Sequence, residues 1–170
     1  LQGKTSNYDT DVFQPIIKAI GELTGLEYGK DEQVDIAMRV VADHMRTAVM
    51  LIGDINGIVP SNTGSGYILR RLMRRAIRFA KSLGLTGEHL GQIATIYIDE
   101  VYNNAYPLLV EKKDYILAEV AKEIAKFETC TREPIIRRTK DGTLVCFFLT
   151  GGVTEPLNEN FVAIAKSRDN

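Results

Sequence analysis

Six cations crowd one side of a short stretch of this chain. In the run from Gly66 to Lys81, Arg70, Arg71, Arg74, Arg75, Arg78 and Lys81 carry positive charge with no acid among them. Wound into a helix at ~100° per residue, all six fall within about 140° of arc. Leu69, Leu72, Met73, Ala76, Ile77 and Ala80 take the other side. Like charges three or four residues apart on a helix repel by ~0.2–0.5 kcal/mol per pair. Arg70/Arg74, Arg71/Arg75, Arg74/Arg78, Arg71/Arg74, Arg75/Arg78 and Arg78/Lys81 all stand at those spacings. Such a face is expected to meet a polyanion, or acids from another segment. All but Lys81 are arginine, whose planar fork makes paired hydrogen bonds to phosphate. The bland alternative is a solvated basic face, or neutralisation within the chain by Glu111, Asp114 or Glu119.

The other chemistry-bearing residues give weaker patterns. His44 lies in Ala42-Asp43-His44-Met45-Arg46 without an HxxxH or HExxH companion, so a packed or hydrogen-bonded helix residue is expected rather than a metal ligand. His89 reads as an exposed first-turn residue. Gly64-Ser65-Gly66 ahead of a helix can turn backbone N–H groups toward phosphate, but the P-loop lysine and the longer dinucleotide fingerprint are missing. Taken alone it reads as a flexible helix start. Asp99 and Glu100 read as surface or salt-bridge acids rather than a catalytic pair. Cys130 and Cys146 form neither a disulfide framework nor a zinc spacing. The residues therefore nominate no catalytic group, no metal site and no cofactor.

The elements that must position the basic face follow from periodicity. Ser6 to Asp11 supplies capping residues, Val12 to Leu23 repeats at helical spacing, and Gly25 stops that helix. Asp31 to about Gly53 predicts a longer helix with a broad apolar face. Asp54 to Gly57 predicts a turn, and Ile58 to Ser65 a loop holding Pro60, Ser61 and Asn62. The basic helix runs from about Ser65 to Leu83 and ends at Gly84. Further helices are expected from Gly87 to about Tyr106 and from Leu108 to about Thr129. Then Pro134 to Thr139, Lys140-Asp141-Gly142 and Thr143 to Leu149 predict a hairpin, and Leu157 to Lys166 a short helix. The expected fold is mainly α: a bundle-like helical domain over residues 1–129 and a small α+β appendage, hairpin plus helix, over 130–170.

Whole-chain quantities bound the partners. With 170 residues and a formal net charge of −1, the molecule has room for a sizeable core and no global attraction to nucleic acid. The basic face is a local feature, and a local field suffices because salt screens beyond ~8–10 Å. No apolar run approaches the ~20 residues of a membrane span, and no signal peptide is evident. A cytoplasmic or organellar (mitochondrial or plastid) location is expected rather than secretion. The start at Leu1 suggests a fragment or a processed chain.

About residues 1–127 resemble the alanyl-tRNA synthetase family, in the stretch that follows its class II catalytic core. The resemblance rests on Leu1-Gln2-Gly3-Lys4, Ser6-Asn7-Tyr8-Asp9-Thr10-Asp11-Val12-Phe13 and Arg39-Val40-Val41-Ala42-Asp43-His44-Met45-Arg46. It continues through Leu51-Ile52-Gly53-Asp54, Val59-Pro60-Ser61-Asn62 and Gly66 to Arg78, in the family's order and at nearly its spacing. No single piece is specific; the combination is.

The resemblance implies a helical tRNA-recognition domain that presents the acceptor stem of alanine tRNA. It places Asn62 where the family's asparagine reads the G·U wobble pair. An amide carries donor and acceptor together and can read base edges in an RNA minor groove. The arginine face would then hold the phosphate backbone. Departures are an Ile55-Asn56 insertion, Ser65 where the family usually has arginine, and no Leu-Tyr-Asp-Thr-Tyr-Gly-Phe-Pro segment with its partner aspartate. The family's ATP and alanine residues and its editing zinc motif have no counterpart here. The expectation is a tRNA-binding domain, fragment or free-standing paralogue, that does not aminoacylate or deacylate alone. The alternative is a scaffold subunit whose arginines meet an acidic protein surface in a larger complex.

Overall fold

The computed structural model describes residues 2–129, 135–138, 144–150 and 161–167. The chain separates into two compact units, Leu1–Ala125 and Lys126–Asn170.

The first unit is helical. Ser6 Oγ accepts from the Tyr8 N–H at 3.2 Å and caps a 3₁₀ turn over Asn7–Asp9. α1 follows over Gln14–Thr24, with Pro15 in its first turn and Gly25 closing it in the left-handed conformation, φ 71°. α2 spans Glu32–Gly53. Asp31 caps it by accepting from the Gln33 and Val34 N–H groups at 2.8 and 3.0 Å. Asp54 and Gly57 then turn the chain, with Asn56 N donating to Asp54 Oδ1 at 2.9 Å. α3 spans Gly64–Ser82.

α2 and α3 pack side by side and make the centre of the core. Met38, Val41, Met45, Val49 and Ile52 of α2 are buried, as are Leu69, Met73, Ala76, Ile77 and Ala80 of α3. Each fully buried Leu, Ile or Met contributes roughly 1.5–3 kcal/mol. Three of them on α3 therefore outweigh repulsion among its cations, which sums to about 1–3 kcal/mol over six pairs. This balance explains why so charged a sequence stays helical.

The helix expected from Gly87 to Tyr106 is shorter and is wound differently. α4 covers Gly87–Ile96 and continues as a π-helical turn over Tyr97–Val101, closed by Tyr102 N donating to Tyr97 O at 3.0 Å. This wider turn brings Tyr97 and Ile98 fully into the core. The Tyr97 hydroxyl donates to Ala42 O of α2 at 2.8 Å. Burial pushes that hydroxyl well above the ordinary phenol range. Arg46 Nε donates to Tyr102 Oη at 2.5 Å, tying α2 to the end of the same turn.

The helix expected from Leu108 to Thr129 is likewise interrupted. α5 covers Pro107–Glu111 and α6 covers Lys113–Thr129, with Lys112 between them. Lys112 Nζ donates to Asp54 O at 2.7 Å, and Leu109 and Ile116 close over Gly53, where a Cβ would collide with both side chains. The break lets both pieces pack on the end of α2. No helix among the described residues is long and apolar enough to cross a membrane.

In the second unit, β1 (Ile135–Arg138), β2 (Leu144–Thr150) and β3 (Phe161–Ser167) form an antiparallel sheet in that order. Ile136 stands opposite Cys146, and Phe147 opposite Ile164. The α+β appendage expected here is not supported, because Phe161–Ser167 is strand where a short helix is expected over Leu157–Lys166. Phe161, Val162 and Ile164 favour a pleated backbone, and the short apolar run from Phe161 to Ala165 carries no period that separates strand from helix. Cys130, the Lys140-Asp141-Gly142 turn, Gly151-Gly152 and the segment from Leu157 to Asn160 lie outside the described residues. The protein is mainly helical.

Candidate nucleic-acid interface

The loop before α3 is held by backbone contacts that depend on one glycine. Ser61 N donates to Gly66 O at 3.0 Å, and the Ser61 hydroxyl donates to Thr63 O at 2.8 Å. A Cβ at Gly66 would run into the Val59 carbonyl oxygen and the Ser61 side chain. Gly66 thus lets the loop fold back onto the first turn of α3, a packing role that Gly64-Ser65-Gly66 does not disclose as a motif.

α3 divides its five arginines into two sets. Arg71, Arg75 and Arg78 are exposed. The Arg71 guanidinium lies 5.8 Å from the Tyr67 ring centroid, and that of Arg75 lies 5.7 Å from Phe79. Stacking on a neighbouring ring steadies a long side chain while leaving its N–H edge outward. Lys81, in the last turn, is half-buried.

Arg70 and Arg74 turn inward instead. Glu123 of α6 is 1% exposed, and its Oε1 lies 3.3 Å from Arg70 Nε and 3.4 Å from Arg74 Nε. The Arg74 contact is a hydrogen bond. The Arg70 Nε contact meets the ion-pair distance without hydrogen-bond alignment, so it is ionic rather than directional. One buried acid therefore answers the two most inward arginines. Glu119, among the acids considered for this part, pairs with Lys122 at 2.9 Å instead. Glu123 is not among the residues that sequence reasoning singles out, although a signal exists. It continues the apolar stripe of Ile116, Val120 and Ile124, all buried, so an acid at that spacing must be buried too.

Arg70 also reaches the loop. Its Nη1 donates to Asn62 Oδ1, and its Nη2 donates to Pro60 O at 3.5 Å. Arginine has only donors, so the contact fixes which end of the amide faces it. Asn62 is exposed, and its Nδ2 is the end of the amide that does not face Arg70. The structure thus gathers Asn62, Arg70 and Arg74 with Glu123, while Arg71, Arg75 and Arg78 line the adjoining surface.

The remaining candidates are structural. His44 Nδ1 lies 2.9 Å from Asp43 Oδ2, and its Nε2 is buried without a hydrogen-bond partner among the described residues. His89 is half-buried rather than exposed, because its Nδ1 accepts from the Thr86 N–H at 3.1 Å and caps α4. Asp99 pairs with Lys113 at 2.5 Å. No cluster of three or more His, Cys, Asp or Glu suited to a metal occurs among the described residues.

Comparison with known proteins gives the family. Residues 1–133 match the family model for class II (A) tRNA synthetases. The alanine–tRNA ligase of Bacteroides fragilis is 49% identical over 128 residues, 75% of this chain and 14% of that protein. That of Borreliella afzelii is 45% identical over 127 residues, 75% of this chain and 21% of the relative. That of Treponema pallidum is 44% identical over 133 residues, 78% of this chain and 22% of the relative. The chain therefore spans between 14% and 22% of the length of these relatives. Over residues 1–133 it belongs to the class II tRNA synthetases and is a relative of the alanine–tRNA ligases.

Proposed function

We propose that the helical unit binds the acceptor stem of an alanine-type tRNA, with Asn62 at the base edges and Arg71, Arg75 and Arg78 on the phosphates. The observation that carries this reading is the adjacency of an exposed amide, oriented by Arg70, to three exposed arginines on one helix face. Phosphate contacts set position and supply most of the affinity, whereas the amide supplies choice. Sharing Glu123 takes Arg70 and Arg74 out of the set that meets phosphate directly. Lys81 stands at the far end of the same face and extends the positive field along the stem.

The reading concerns binding; aminoacylation belongs to the named activity of the longer relatives. It is tested with RNA hairpins that copy the alanine acceptor stem, one with the G·U pair and one with G·C in its place. The native chain is expected to prefer the G·U hairpin by about tenfold, the size of one base-edge contact. Asn62→Ala is expected to remove that preference and leave the weaker G·C binding unchanged. Equal affinity of the native chain for both hairpins would refute the role of Asn62.

A further inference from the structure

We propose that Glu123 is a positioning residue for recognition: it holds Arg70 in the one orientation that presents Asn62. The RNA consequence rests on the reading given above; the mechanical one does not. Arg70 spends its guanidinium on three partners. Nε faces the Glu123 carboxylate at 3.3 Å, Nη1 donates to Asn62 Oδ1, and Nη2 donates to the Pro60 carbonyl at 3.5 Å. Its side chain is 14% exposed, so the cation is enclosed between α6 and the loop rather than offered to solvent.

Without an acid on its inner side, an arginine at this position would be held under the loop only by its bonds to Asn62 and Pro60. Arg74, four residues on, is half-buried beside it and repels it. Glu123 reverses that local field. It is almost completely buried, belongs to a different helix, and bridges Arg70 and Arg74 through one oxygen. Its Oε2 is buried with no hydrogen-bond partner among the described residues, which leaves the two arginine contacts of Oε1 to offset the burial of the charge. A planar, bidentate-capable cation suits this three-way task, and the point charge of lysine does not. An apolar stripe interrupted by one acid, answered by an arginine eight residues after an exposed asparagine, is thus a specificity device rather than a surface salt bridge.

The experiment reads Asn62 directly. In a ¹⁵N-labelled chain, the side-chain amide of Asn62 is assigned by its loss in Asn62→Asp, and its heteronuclear NOE is measured without RNA. The native signal is expected to be as restrained as the helix backbone. In Glu123→Gln it is expected to drop to the value of the exposed Asn56 side chain, while Glu119→Gln leaves it unchanged. Arg70→Lys keeps a cation beside Glu123 and carries the same expectation, so the test stands if Glu123→Gln does not fold. An Asn62 amide that stays restrained in a folded variant of either kind overturns the proposal.

A second arm measures hairpin binding. Glu123→Gln is expected to bring the G·U to G·C preference toward unity with the salt dependence retained, because Arg71, Arg75 and Arg78 are untouched. Loss of affinity for both hairpins alike, with a reduced salt slope, contradicts a positioning role. A native chain that does not discriminate the hairpins removes the RNA reading alone, since the NOE arm still decides whether Glu123 positions Asn62.

Discussion

Removing the Glu123 carboxylate leaves Arg70 and Arg74 side by side with no acid between them. Breaking a buried ion pair from one side costs about 3–5 kcal/mol, far more than an exposed pair contributes. Glu123→Ala is accordingly expected to be destabilised by about that amount in urea unfolding. Glu119→Ala, which breaks the exposed Lys122 pair, is expected to cost less than about 1 kcal/mol. Tyr97 makes a different residue-scale case. Its folded-state pKa lies above that of the unfolded chain, about 10, so above that pH the unfolded chain releases a proton that the folded one keeps. Its contribution to stability is present below about pH 10 and is lost as pH rises further. Tyr97→Phe is expected to lose about 1 kcal/mol at neutral pH, by forfeiting the bond to Ala42 O, and to show a shallower decline in unfolding midpoint above pH 10. Both effects are hard to read from sequence. The stripe of Ile116, Val120 and Ile124 marks Glu123 as facing the core, but its partners Arg70 and Arg74, and the Ala42 carbonyl that meets Tyr97, lie in distant segments that no local pattern names.

At the scale of elements, legibility follows local physics. Asp31 and Gly25 mark helix ends by capping chemistry that sequence displays, and α1, α2 and α3 begin and end within a few residues of where those signals stand. The π turn at Tyr97–Val101 and the break at Lys112 carry no such signal. Both are set by what they pack against: the Ala42 carbonyl, and Gly53 beneath Leu109 and Ile116. Phe161–Ser167 departs from expectation for a third reason, since a short apolar run has no period to read. The basic face itself is legible as a face. Its division into paired and outward cations is not, because that depends on α6. The loop–helix junction offers the sharpest element-scale prediction. Gly66→Ala must move the Val59 carbonyl and Ser61, at about 1–3 kcal/mol by the usual cost of overpacking. It is expected to lower the unfolding midpoint and reduce the G·U preference together. Gly91→Ala, where a Cβ meets open space, is expected to do neither.

For the molecule as a whole, a net charge of −1 means that any attraction to RNA comes from a local cluster of cations, such as the α3 face, rather than from the surface at large. A concentrated patch leaves a definite electrostatic signature. Binding that releases counterions weakens linearly in log affinity against log salt, with a slope set by the number of phosphates met. An acidic protein partner would share the salt dependence but would not account for a preference between the G·U and G·C hairpins. The decisive measurement is the affinity of the full chain for alanine tRNA across a salt series, for the native protein and for the Arg71→Gln, Arg75→Gln, Arg78→Gln triple variant. The expected result is a steep native slope that becomes shallower by about 2–3 in the variant, roughly one unit for each phosphate that is no longer neutralised. Equal slopes for the two proteins, or a native affinity indifferent to salt, would contradict the assignment of the α3 face to tRNA.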